Sequence, residues 1–298
     1  MVVITQTPAM TAGIDTVCDA GDLRRLVEDW RADGLRVGFV PTMGALHAGH
    51  LSLVDLARQS CDRVIVSIFV NPRQFGPGED LDTYPRDEAR DREKLAAAGA
   101  DLLYMPRLSD IYPAGFSTRV EVQGLSEVLC GCSRPHFFAG VATVVLKLFL
   151  QTRPDVAVFG EKDYQQLLVI RALVGDLELP IEIVAGPTVR ESDGVAMSSR
   201  NDYLTSAERA VAPELFRTIS VVADGIAVGR DIGEAVAVGI ARLRSAGFDI
   251  DYLEVRNAES LAPLAALEGR PARVFAAATL GRTRLIDNVA VTRPAPPA

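Results

Sequence analysis

The chain has 298 residues, 48% of them hydrophobic and 23% charged, with a formal net charge of −8. That is the composition of a globular protein with one large domain or two ordinary ones. It argues against broad nucleic-acid binding, which needs a basic face to meet phosphates, yet permits a small anion held by a few local cations.

The opening MVVITQTPAMTAGID has no basic start and no long apolar run, so it does not read as a secretory signal. The most apolar helical stretch, 141–150, is about half of a membrane span and carries Lys147. Both features point to a cytoplasmic protein with no membrane partner. Cys18, Cys61, Cys130 and Cys132 do not make a disulfide framework in a chain this size, and Cys130-Gly131-Cys132 lacks companion ligands at zinc spacing. They read as reduced, mostly structural thiols.

Taken in order, the apolar, β-branched runs 35–40 (LRVGFV), 63–70, 100–105 and 155–160 read as strands, and 51–59, 86–98, 140–151 and 164–176 read as helices. Strands apolar on both faces and separated by helices imply a parallel sheet with crossovers. The expected fold is therefore a doubly wound α/β sheet of Rossmann type over 1–187. After IEIVAGP (181–187) comes the polar segment TVRESDGVAMSSRND, then two helices near 206–228 and 232–245. Strand-like runs follow at 249–256, 272–281 and 283–291, so 188–298 reads as a smaller α+β domain. The Pro-rich end TRPAPPA is expected to fray.

An open parallel sheet binds ligands beyond the carboxyl ends of its strands, so the residues just past each strand survey the site. Those residues are PTMGALHAGH after the first run, NPRQFGPGEDLDTYPR after the second and EKDYQQ after the fourth. Two of the chain's three histidines, His47 and His50, lie one turn apart beside Gly44 and Gly49. Capping and packing is the ordinary reading of a lone His-x-x-His. Here a strand precedes it and glycines flank it, which favours phosphate at a helix N-terminus, where free N–H groups and the dipole attract anions. Only Lys94, Lys147 and Lys162 of the 31 basic residues are lysine, a weak hint that a lysine marks a need for a compact charge. Ser198, Ser199 and Arg200 offer hydroxyls and a fixed cation, although such a loop is more often a solvated turn.

Together PTMGALHAGHLSLV, VSIFVNPRQFGPGEDLDTYPRD, VFGEKDYQQLLVIR and TVRESDGVAMSSRN resemble the pantothenate synthetases, of the His-x-Gly-His nucleotidyltransferase superfamily. The resemblance runs from about Leu35 to Leu204 and more loosely beyond. It implies an amide-forming, AMP-forming ligase. Pantoate attacks the α-phosphorus of ATP, giving pantoyl adenylate and pyrophosphate; β-alanine then displaces AMP. It also implies a homodimer acting on small molecules, with Mg2+ arriving on ATP. By that carry-over Met43, Gly44, Ala45, Leu46, His47, Ala48, Gly49 and His50 line the ATP site. So do Gly160, Glu161, Lys162, Asp163, Val189, Met197, Ser198, Ser199 and Arg200. His50, His47, Lys162 and Arg200 are its catalytic group. Gln74 and Gln166 hold pantoate, and Gln74 also meets β-alanine. Asp163 reads equally as a ribose acceptor or a helix N-cap. The 190–202 segment is expected to act as a lid.

One departure stands out. The family's Arg-Pro-x-His-Phe-x-Gly reads Arg134-Pro135-His136-Phe137-Phe138-Ala139-Gly140, with Phe137 in the histidine's place. His136 is therefore left out of the site. Two other readings remain: a different adenylyl- or cytidylyltransferase of the same fold, and a nucleotide-binding regulator without turnover. A tRNA-charging role is disfavoured by the acidic balance.

Overall fold

The computed structural model describes residues 13–292, so the readings of the N-terminal stretch and the Pro-rich end lie outside the described residues. Six parallel strands form the main sheet: β1 (Asp15–Val17), β2 (Val37–Thr42), β3 (Arg63–Ile68), β4 (Leu102–Tyr104), β5 (Val156–Gly160) and β6 (Glu182–Gly186). Their order is β1-β4-β3-β2-β5-β6. The order reverses at β2, which pairs with β3 on one side and β5 on the other. That reversal opens the crevice where doubly wound sheets take ligands.

Side-chain alternation builds two cores. From β2, β3 and β5, residues Phe39, Ile65, Ala157 and Phe159 face one layer, while Val40, Val64, Val66, Val156 and Val158 face the other. The first layer is covered by α1 (Ala20–Ala32), and later in the chain by α6 (Phe137–Thr152) and α7 (Tyr164–Asp176). The second is covered by α2 (Ala48–Arg58) and α3 (Glu88–Ala98), through Leu53, Val54, Ala57 and Leu95. Two single turns, α4 (Leu108–Ile111) and α5 (Cys130–Ser133), lie between β4 and α6. All four cysteines are free thiols.

The remainder is an antiparallel sheet, β7 (Asp249–Asn257), β8 (Ala272–Leu280) and β9 (Thr283–Val291), packed under helices with its own apolar core. The helix expected over 206–228 is two helices, α8 (Ser206–Val211) and α9 (Pro213–Ala227), followed by α10 (Ile232–Ser245). Pro213 lacks the N–H that would continue the first helix and instead starts the second. The strand β1 and helix α1 are additions to the sequence reading. Asp19 caps α1 by accepting the Gly21 and Asp22 N–H groups.

Candidate active site

A cleft of about 880 Å³ opens beyond the carboxyl ends of β2, β3 and β5. Its first wall is the turn after β2. Gly44 and Ala45 both adopt left-handed backbone, φ 81° and 51°, which swings the chain from strand into α2. His47 is the N-cap residue, in extended conformation. The His47 N–H donates to Nδ1 of His50 at 3.3 Å, and the two rings stack 4.0 Å apart. Because His50 Nδ1 accepts, its neutral ring carries the proton on Nε2.

Burial, then His47 and the charges of Lys162 and Lys94, hold the His50 pKa down to about 3. Burial, with Lys162 and Lys94, holds His47 to about 4. Both rings are therefore neutral at pH 7. Each offers one N–H to an anion beside the unsatisfied first amides of α2, and the nearby lysines supply the positive charge.

The second wall follows β3. The turn at Pro72–Gln74 brings Gln74, 8% exposed, under Met43, to whose Sδ its Nε2 donates at 3.1 Å. Its Oε1 accepts from Asn71 Nδ2 at 3.0 Å, and Asn71 Oδ1 accepts from the Tyr112 hydroxyl at 2.8 Å. This chain fixes which end of the Gln74 amide meets a ligand. Helix α6 comes close behind: a Cβ on Gly140 would lie 2.2 Å from the Arg73 carbonyl oxygen. Arg134 makes a two-point ion pair with Glu79 and donates to the Gln74 carbonyl at 3.0 Å.

The third wall follows β5. Lys162, with Nζ 3.7 Å from Asp163, and Gln166 on the first turn of α7 both border the cleft. Asp163 occupies the N-cap position of α7, but its side chain makes no capping bond. Asn288 on β9 holds this loop by donating Nδ2 to the Glu161 and Lys162 carbonyls at 3.0 and 2.9 Å. The small sheet thus braces the parallel one at the site.

The fourth wall is the 188–203 segment, and it is pinned. Arg200 pairs with both oxygens of Asp80 at 3.0 and 2.9 Å, and Ser199 Oγ lies 3.1 Å from the Tyr84 hydroxyl. Arg190 forms a two-point pair with the buried Asp287 at 2.6 and 2.9 Å. The local turn belongs to Ser198, which accepts the Arg200 N–H.

Met43, His47, Gly49, His50, Gly160, Lys162, Asp163, Val189, Met197, Ser198, Ser199, Arg200, Gln74 and Gln166 all reach this cleft. Gly44, Ala45, Leu46, Ala48 and Glu161 lie in the turns beside the cleft without their side chains lining it. The Leu46 side chain is buried in the core, and the amides of Ala45 and Leu46 turn away to Asp91. Ala48 is exposed, and the Glu161 carboxylate faces Arg273 at 3.6 Å. Asn71 joins Gln74 at the end of β3, as its place just past the second strand-like run led one to expect, whereas Glu79, Asp80, Tyr84, Asp287 and Asn288 were not anticipated. The first three lie in the polar loop GEDLDTY that follows β3, the one signal available, while Asp287 and Asn288 sit in the middle of β9 and gave none. His136 does not border the cleft; its Nε2 is buried without a partner against Gly76, while Phe137 does border it, under the Arg134 guanidinium at 3.9 Å.

The family described as Pantoate-beta-alanine ligase matches residues 15–290. The chain belongs to that family. It is 57% identical over 271 residues to the pantothenate synthetase of Rhodospirillum rubrum, covering 91% of this chain and 96% of that one. With the pantothenate synthetase of Pseudomonas putida KT2440 it shares 57% over 279 residues, 93% and 97% of the two chains. The crystal structure of the Thermus thermophilus pantothenate synthetase superposes with a TM-score of 0.88 at 47% identity, over 94% of this chain and all of the other. A pantoate-β-alanine ligase from Francisella tularensis, solved with βγ-ATP and β-alanine, gives 0.78 at 35% identity over 93% and 98%. The activity of the family is amide ligation of pantoate to β-alanine, and this chain spans nearly all of it.

Proposed function

We propose that the cleft performs this ligation through a pantoyl adenylate. The observation that carries the reading is the meeting, in one cleft, of a neutral histidine pair at a helix N-terminus with Gln74 and Gln166. Two amides can hydrogen-bond the hydroxyl and carboxylate oxygens of pantoate without neutralising the nucleophile. The triphosphate of ATP lies against the α2 N-terminus, Lys162 and Arg200. A pantoate carboxylate oxygen attacks the α-phosphorus, and the bond from that phosphorus to the bridging oxygen breaks, releasing pyrophosphate. The Nε2–H of His50 donates to the charge that builds on the phosphoryl oxygens. The amine of β-alanine, positioned beside Gln74, then attacks the acyl carbon; AMP leaves and the nitrogen loses one proton.

Mg2+ enters as part of the nucleotide substrate. Among the described residues no three acids, histidines or cysteines converge on a point, and Glu79 and Asp80 are already paired with arginines. No protein-built cage fits the ion and no step is assigned to it. The segment Val189–Arg200 and the small sheet behind it act as the lid that keeps water from the acyl adenylate. We place the enzyme in the cytoplasm as a homodimer; no described helix is long and apolar enough to cross a membrane.

Two measurements test the reading. AMP release with each substrate omitted in turn should require pantoate and ATP for pyrophosphate, and β-alanine for rapid AMP. Pyrophosphate exchange supported by another acid, but not by pantoate, would instead favour a different adenylyltransferase. His50→Ala should slow adenylation by at least about a hundredfold while the fold survives; near-normal adenylation would remove His50 from its role.

A further inference from the structure

The turn that carries the histidines is held from a distance. Asp91 lies on α3 and is 2% exposed. One of its oxygens accepts the Ala45 N–H and the other the Leu46 N–H, both at 2.8 Å. One turn along the same helix, the Lys94 ammonium donates to the Leu46 carbonyl. Both the N–H and the C=O of Leu46 are thus tied to α3.

The turn needs this hold. Gly44 and Ala45 are consecutive left-handed residues, and for alanine that conformation is unfavourable unless the surroundings impose it. A buried carboxylate is equally unfavourable unless its oxygens are matched. Each oxygen of Asp91 has one backbone donor, and a cation sits one turn away. The arrangement places a charged pair from α3 behind the turn, on the side away from the cleft. Ordinary core packing needs neither charge.

We propose that Asp91, assisted by Lys94, is a positioning residue for nucleotide activation. It fixes the 44–47 turn so that His47, His50 and the first amides of α2 meet the α-phosphate. The proposal rests on reading the cleft as the ATP site. Asp91 touches no reacting atom; it acts through the backbone of Ala45 and Leu46.

Asp91→Asn tests it. The substitution keeps the size but turns an N–H2 toward a backbone N–H, so one of the two bonds must break. The control is Leu23→Ala, a core truncation on α1 that leaves the turn intact. For Asp91→Asn, kcat/KM for ATP should fall by about a hundredfold, since misplacement by about 1 Å costs that much. KM for pantoate should stay within about threefold, because the Asn71–Gln74 chain is untouched. Leu23→Ala should lower the melting temperature without this selectivity.

A second readout does not use activity. The chain has three histidines, so a side-chain NMR titration resolves them all. In the unmodified protein His47 and His50 should stay neutral from pH 8 to 5. In Asp91→Asn at least one should titrate inside that range as the turn loosens and water enters. The groups facing the pair are Lys162, Lys94, Asp163 and Asp202, and all remain. Losing a negative charge by itself would lower a histidine pKa, so an upward move reports loosening rather than electrostatics.

A folded Asp91→Asn with unchanged ATP kinetics and unchanged histidines would overturn the proposal. So would losses spread equally over all substrates in step with Leu23→Ala. Shifted histidines with unchanged ATP kinetics would uphold the clamp and count against the ATP-site reading itself. Should Asp91→Asn fail to fold, Lys94→Met removes the donor to the Leu46 carbonyl together with one of the charges near the histidines. It should lower kcat/KM for ATP at least fivefold with pantoate KM unchanged, and intact ATP kinetics there would overturn the proposal.

Discussion

Lowering the pH from 7 to 5 probes the histidine pair through stability. Unfolded histidine titrates near 6.5, while in the fold His50 is held to about 3 and His47 to about 4, chiefly by burial. With the folded pKa depressed, the unfolded chain takes up the proton first. Stability is therefore complete above 6.5, falls as pH drops through that value, and levels off only below the folded pKa. Each pH unit below 6.5 costs about 1.4 kcal/mol per histidine. At pH 5 that is about 2 kcal/mol for His50, and up to the same for the more open His47, giving about 2–4 kcal/mol together. The result hardly depends on where below 5 the folded values lie. Urea unfolding at both pH values, for the unmodified chain and a His47→Gln/His50→Gln variant, isolates the effect. Carboxylates held low by arginine partners, such as Asp193 and Glu214, start from 3.8 and 4.5 and lose stability below this window. They are common to both proteins and cancel. The unmodified chain should lose about 2–4 kcal/mol more than the variant between pH 7 and 5. Equal losses would mean that the rings accept protons freely in the fold, and the neutral-donor argument would fail.

Gln74→Leu and Gln166→Leu should each raise KM for pantoate about tenfold or more, since an unmatched buried polar group costs about 1–3 kcal/mol, while ATP binding barely changes. Separate titration of the two ligands decides it, and equal damage to both would contradict the assignment. Asp80→Asn should speed amide exchange across 198–203 by at least about tenfold, because it halves the carboxylate that pins Arg200; an ATP analogue should slow it again, and exchange unchanged by both would remove the lid role. His136→Ala should leave turnover within about threefold, a change well below the 1.4 kcal/mol that a factor of ten requires. A hundredfold loss in a folded protein would show that His136 reaches the site.

The sequence by itself determined the strands β2 to β5 with the helices α2, α3, α6 and α7, the three strands of the small sheet, the parallel class of the main sheet and the loops on which the polar groups sit. These follow from periodicity and strand-end position, which act over a few residues. Helix α7 and helix α10 begin and end where the apolar pattern predicts. Of the three lysines, Lys94 and Lys162 charge the surroundings of the histidines, whereas Lys147 covers the Phe116 ring at 4.8 Å. Helix α1 escaped because its surface is rich in charge and only Leu23 and Val27 are buried, although Asp19 was a legible cap. What remained for the tertiary structure was partnership. Asp91 reaches back 45 residues to the turn, Arg200 reaches 120 to Asp80, and Asn288 reaches 126 to Lys162. The one-dimensional pattern shows that each is polar but not what it meets, because a hydrogen bond depends on distance in space, and only the assembled parallel sheet and the docked small sheet set those distances.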